Sequence, residues 1–128
     1  MSAKPCKMYA YVSSEPSTHY PENTASDFTI QLPQVISGVK ECGIIEVKLP
    51  TAPKKGLFLC SDLCVGSITN NLTLPVLRRM RQKIVAPNNV TYAPLKVQNF
   101  DTIRFYICTE SNQQANLAGE TRITLHLR

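Results

Sequence analysis

The chain contains no tryptophan, and its 128 residues include only five glycines and two histidines. Without tryptophan, the Cys–Trp–Cys spacing of an immunoglobulin-type sandwich is absent. The five scattered glycines build neither a phosphate-cradling loop nor a G-x-G-x-x-G turn, and no G-x-S-x-G or H-E-x-x-H occurs. The histidines, His19 and His126, fall in a predicted loop and in the last predicted strand. A general base needs an imidazole with a partner, within reach of a nucleophile, and this pattern offers none. The expectation is a protein that is not an enzyme and carries no cofactor and no metal.

No apolar run approaches the roughly 18–20 residues that span a bilayer, so no membrane span is expected. The opening MSAKPCKMYAYV lacks the apolar stretch of about 7–15 residues that marks a secretory signal. Five cysteines, Cys6, Cys42, Cys60, Cys64 and Cys108, form an odd set with no CxxC. Both features point to reduced thiols and to a protein that is not secreted. Cys60 and Cys64 sit in an extended stretch, where residues four apart lie about 13 Å from each other. That is too far for a shared zinc or a disulfide. Cys60, Cys64 and Cys108 have apolar neighbours and are expected to be protected, whereas Cys6, beside Lys4 and Lys7, is the expected reactive thiol.

A helical stripe of period 3.6 is missing too, and period-2 alternation takes its place. Lys7–Glu15 sets Met8, Ala10 and Val12 against Tyr9 and Tyr11. Ser26–Ile36 puts Phe28, Ile30 and Leu32 on one face, with Pro33 ending or bending the strand. Lys40–Leu49 turns Ile45, Val47 and Leu49 inward. Leu57–Val65 is apolar on both faces, so that strand is either central and covered or lies at a subunit contact. Val76–Val85 turns Met80 and Ile84 inward, and Val90–Val97, with Pro94, reads as an edge or a bulge. Thr102–Thr109 alternates Ile103, Phe105 and Ile107 with Arg104, Tyr106 and Cys108. Thr121–Arg128 sends Ile123, Leu125 and Leu127 inward and Arg122, Thr124, His126 and Arg128 outward. Nothing supplies crossover helices. The prediction is an all-β chain forming one domain over residues 1–128: an eight-stranded antiparallel β-sandwich, a single jelly roll.

What is present in excess is positive charge, with 14 Lys+Arg against nine Asp+Glu and a net charge of +5. Its densest expression is Arg78-Arg79-Met80-Arg81-Gln82-Lys83. On a strand, Arg79, Arg81 and Lys83 would line one face at intervals of ~6.6 Å. Such a stripe serves an anionic partner, nucleic acid or glycan, or else it is solvated or paired with Glu46 or Glu110. The aromatics Tyr9, Tyr11, Phe58 and Tyr106 fall opposite the core-facing residues, a pattern that marks a subunit interface.

The order of short motifs resembles a family. Tyr20-Pro21-x-Asn23-Thr24 is followed by Ser26-x-Phe28 and Leu32-Pro33, then by LFLCSDL (Leu57–Leu63) and LPVLR (Leu74–Arg78). Tyr92-x-Pro94-Leu95, FDTIRFYI (Phe100–Ile107), Gly119 and the final LHLR (Leu125–Arg128) complete it. The whole is similar to the penton-type minor capsid proteins of Polinton/Maverick elements, adintoviruses and related double-stranded DNA viruses of animals. The resemblance implies a single jelly roll that forms pentamers at capsid vertices beside a major capsid protein. It also implies a place in the virion, after assembly in the host nucleus or cytoplasm.

Overall fold

The structure, a computed structural model, describes residues 8–69 and 72–128. Among them there is no helix, and two antiparallel sheets enclose the core. The strands are β1 (Met8–Ser13), β2 (Asp27–Ser37), β3 (Glu41–Lys48), β4 (Leu57–Ser61), β5 (Ser67–Thr69) and β6 (Leu72–Leu74). They continue with β7 (Val76–Met80), β8 (Ile84–Val85), β9 (Tyr92–Pro94), β10 (Asn99–Thr109) and β11 (Arg122–Leu127). One sheet runs β1-β11-β3 and adds β8 and β9, which both pair with β3. The other runs β2-β10-β4-β7, and β5 and β6 form a small separate hairpin.

The alternation read from the sequence places the core well where strands run straight. Ile123, Leu125 and Leu127 of β11 are buried, as are Ile103, Phe105 and Ile107 of β10. They meet Val12, Phe28, Val47, Leu57, Leu59 and Met80 in one continuous cluster. Phe28 and Phe105 lie directly opposite on β2 and β10, with ring centroids 5.5 Å apart.

Three departures have local causes. In β3 the inward residue is Ile44, not Ile45, because the pairing with β11 slips between Thr124 and Leu125. Thr124 faces Glu46 and Leu125 faces Ile44, so Ile45 is the extra residue of a β-bulge and the face alternation restarts there. In β2 the pairing with β10 jumps from Gln31–Thr102 to Ile36–Phe100, so the Pro33 segment arches away from the ladder while the strand continues beyond it. The expected strand Val76–Val85 is two strands in different sheets. β7 pairs with β4 and β8 with β3, and Arg81–Lys83 carry the chain across. Ile84, expected inside, is half exposed as a result, while Met80 stays buried.

These breaks, with the β5–β6 hairpin, give eleven strand segments among the described residues where the alternation gave eight. The two-faced stretch Leu57–Val65 divides as well. Its ladder ends at Ser61, and Cys64 turns into the main core through a bridge to Leu95 rather than sharing the face of Cys60. In the segment that follows β10, Gln114 folds back to bridge Cys108.

The Phe28–Phe105 contact gives a direct measurement. Phe105→Ala should cost about 3–5 kcal/mol by urea unfolding, since no neighbour can fill the cavity without leaving its own strand. Tyr11→Ser, on the outward side of β1, should stay within about 0.5 kcal/mol of wild type.

Candidate interaction surface

On the outer face of the β1-β11-β3-β9 sheet, one cross-strand row holds four residues. Tyr9 faces His126, His126 faces Gly43, and Gly43 faces Tyr92. Tyr9 stacks on the imidazole, with centroids 4.6 Å apart and planes 14° from parallel. From the other side Tyr92 meets it edge-on at 5.7 Å, and its hydroxyl shares a 2.7 Å hydrogen bond with Nδ1 of His126. Gly43 makes this arrangement possible. A Cβ there would come within 2.5 Å of Val90 Cγ1 and 2.8 Å of Tyr92 Cε1. Arg128 closes the row, its guanidinium 3.5 Å from the Tyr92 ring centroid and its Nε donating to Glu41 Oε1 at 2.6 Å.

His126 is therefore buried, although strand alternation sends it outward. It keeps the outward direction expected of it but is covered there by the two tyrosines bracketing it. The β3–β9 pairing that delivers Tyr92 joins residues far apart in sequence, and no local pattern announces it. Tyr9 and Tyr11 remain open, at 58% and 79% exposure.

The outer face of the other sheet is more nearly closed. Cys60, Cys108 and Leu74 form a second buried cluster, with Phe58, Val76 and Tyr106 packed against it. Arg104 stands over the Tyr106 ring at 5.0 Å and grips Asp27 through two hydrogen bonds of 3.0 and 2.9 Å. The four aromatics named as a subunit interface thus separate. Tyr9 and Tyr11 lie on one face of the sandwich, and Phe58 and Tyr106 lie half-buried on the opposite one. The two-faced apolar strand is central and covered, because Leu74 and Val76 from the same chain sit on it.

The predicted basic stripe does not form a row. Arg79 lies on β7 and pairs with Glu110, one of the two partners anticipated for it. Arg81 and Lys83 lie beyond the end of β7, in the crossover between sheets. Lys83 instead lines a pocket with Lys48, Leu49, Pro50, Glu120 and Arg122. Sequence spacing missed this group because its members come from β3, the crossover and β11.

Four thiols, Cys42, Cys60, Cys64 and Cys108, are free and buried, and Cys6 lies outside the described residues. Burial pushes the Cys60 and Cys64 thiols up to about 12, aided at Cys60 by Cys108 and at Cys64 by the charge of Asp62. Cys42 is pushed up by burial and then by Cys64, and burial raises Cys108 as well. Among the described residues, no group of three or more His, Cys, Asp or Glu is placed to hold a metal ion. No helix there is long and apolar enough to cross a membrane.

Two measurements follow. Gly43→Ala should destabilise the fold by about 1–3 kcal/mol through overpacking against Val90 and Tyr92, read as a lowered urea midpoint. The buried thiols should make the protein sensitive to alkali. Their folded-state values lie above the unfolded value of about 8.5, so the stability they contribute is complete below that pH. It is lost as the pH rises toward the folded values, at about 1–2 kcal/mol per thiol by pH ~10. Urea midpoints at pH ~7.5 and ~10 check this, and Cys42→Ala should show a smaller alkaline loss.

Comparison with known proteins adds no identification, as no protein-family model and no curated protein matches the chain.

Proposed function

We propose that this protein is a non-enzymatic structural subunit, a single jelly roll that self-associates into a ring of five and serves as a penton-like minor capsid protein beside a major capsid protein. The observation that carries the reading is strand order. With β8 and β9 taken as one interrupted strand and β5–β6 as an excursion, eight strands remain in two sheets of four. The first strand pairs with the last, and the chain crosses between sheets at every connection except that from β4 to β7. That alternation supports reading the chain as the double Greek-key path of a jelly roll. It agrees with the fold implied by the motif resemblance, which spans nearly the whole chain.

Self-association draws on a narrower surface than four aromatics. Phe58 and Tyr106 are half occupied within their own chain, which leaves Tyr9 and Tyr11. Both stand on β1, the edge strand of its sheet, where a neighbouring subunit can approach without displacing any strand. A ring made this way uses a heterologous contact, in which one patch meets a different patch of the next copy and the rotation closes. The alternative reading, a nucleic-acid- or glycan-binding module using Arg79, Arg81 and Lys83, has less support. Arg79 is engaged by Glu110, and the chain turns between the sheets before Lys83.

Light scattering on the purified protein at tens of micromolar should give five times the 14.3 kDa chain mass. Tyr9→Ser with Tyr11→Ser should weaken association at least about tenfold while leaving the fold intact. A monomer mass across that concentration range would overturn the reading.

A further inference from the structure

We propose that the pocket formed by Lys48, Lys83 and Arg122 is a binding site for a compact tetrahedral oxyanion, a phosphate or sulfate group. The proposal is independent of self-association.

Three elements converge there. Lys48 ends β3, Arg122 begins β11, and the two are directly opposite in the ladder. Like charges in that position repel, and a sheet keeps such a pair at a cost unless something negative lies beside it. Lys83 arrives from the crossover between sheets, which is fixed against the end of β3 by the Leu49 N–H donating to the Lys83 carbonyl at 2.7 Å. Leu49 and Pro50 supply the apolar wall.

One carboxylate enters the pocket, and its charge is already committed. Glu120 accepts from Arg122 Nε at 3.0 Å and from the Ser13 hydroxyl. These two contacts, that of Arg122 foremost, hold its carboxyl below the ordinary range. Gly119 sets the approach. Its φ of +116° favours glycine, and a Cβ there would lie 2.8 Å from Pro50 Cβ, so a larger residue would push the 119–120 turn off the pocket wall. Neither Lys48 nor Lys83 has a carboxylate within ion-pair distance among the described residues. Three cations therefore line the pocket with one carboxylate, and Glu15 adds a second negative charge near Arg122 alone, leaving a local surplus of positive charge at the two lysines.

The shape selects among anions. The cavity is about 260 Å³, and a water occupies roughly 30 Å³ of liquid, so a tetrahedral oxyanion fits with several of its waters. Its three cations line one pocket, brought there from three separate segments, instead of following one strand. Consecutive phosphates of a nucleic acid strand need a line, and Arg79, which would start one on β7, is engaged by Glu110. The lysines offer rotatable donors, and Arg122, held by Glu120 through Nε and one terminal nitrogen, keeps its remaining N–H groups, a set that matches tetrahedral oxygens.

Titration calorimetry with inorganic phosphate and with sulfate is the test, in a buffer free of other oxyanions. Saturable one-to-one binding is expected. Lys48→Ser and Lys83→Ser should each weaken it about fivefold, whereas the double change Lys54→Ser with Lys55→Ser, removing charge elsewhere, should leave it unchanged. Glu120→Gln should tighten binding by a similar factor, because it removes the competing charge and keeps an acceptor for Ser13. A purely structural role of Glu120 predicts no gain. Absence of saturation at millimolar anion, equal losses in the Lys54/Lys55 variant, or weaker binding by Glu120→Gln would each overturn the proposal. A heparin-derived octasaccharide identifies the source. Tighter binding than free sulfate, still dependent on Lys48 and Lys83, assigns the group to a sulfated chain, and equal binding assigns it to the free ion. Preferential binding of single-stranded DNA that is lost on Arg81→Ser would replace the site with a nucleic-acid surface and overturn it.

Discussion

Both sheets are built around strands that come last in the chain. β10 lies between β2 and β4, and β11 lies between β1 and β3. Each early strand therefore waits for a partner supplied by the final 30 residues. Ile103, Phe105 and Ile107 on one central strand and Ile123, Leu125 and Leu127 on the other supply the middle of the core. Loop-closure entropy opposes such distant pairings until both hydrophobic rows are buried together, and that coupling makes the sandwich form as one unit. The outer faces inherit their geometry from this arrangement. Tyr9 reaches His126, and Lys48 reaches Arg122, only because β11 stands between β1 and β3.

Much of the fold was legible in the sequence wherever a strand runs uninterrupted, because side-chain direction then depends only on the parity of position. Met8–Ser13 and Arg122–Leu127 follow that rule for their inward residues. Parity fails at a single inserted residue. Ile45 is the extra residue of the β3 bulge, and Ile44 takes the inward place. It fails again at Arg81–Lys83, where the need to change sheets overrides a pattern that reads as one strand. Gly43, one residue before Ile44, is the only marker near the bulge and does not say which residue is extra, and Arg81–Lys83 contain neither glycine nor proline. Of the named site residues, Tyr9 and Tyr11 stand exposed as predicted, and Arg79 found one of its anticipated acids. The burial of His126 and the grouping of Lys48 with Lys83 were not legible, since both depend on pairings between distant segments.

Each outer face is finished in a similar manner, with aromatic rings laid over small or polar groups and an arginine laid over a ring. Tyr92 crosses Gly43 to reach His126 under Arg128, and Tyr106 packs against Cys60 and Cys108 under Arg104. Aromatic area covering a gap in a sheet restores the packing that the missing side chain gives up. The guanidinium excludes water from the ring while remaining hydrated along its own edge. Two faces that would otherwise offer apolar surface to solvent are thereby largely satisfied inside one chain. Tyr9 and Tyr11, at 58% and 79% exposure, are the aromatic exceptions among the described residues. Among the described residues no ring or arginine lies over Tyr11, which leaves its side of β1 uncovered.

The charges divide by residue type. All four ion pairs among the described residues use arginine: Arg79–Glu110, Arg104–Asp27, Arg122–Glu120 and Arg128–Glu41. The planar guanidinium meets a carboxylate with two donors at once and loses less freedom in doing so than an ammonium on a flexible stem. These exposed or partly exposed pairs contribute little stability, but they fix side-chain positions on the two faces. Four of the nine acids are consumed in this way, so the surplus of +5 is carried chiefly by lysines outside those pairs. A field made by lysines is screened within about a Debye length and is felt by mobile anions more than by the fold. Added salt should therefore disturb this protein's attraction for anions well before it disturbs the sandwich, whose stability comes from buried Ile, Leu and Phe.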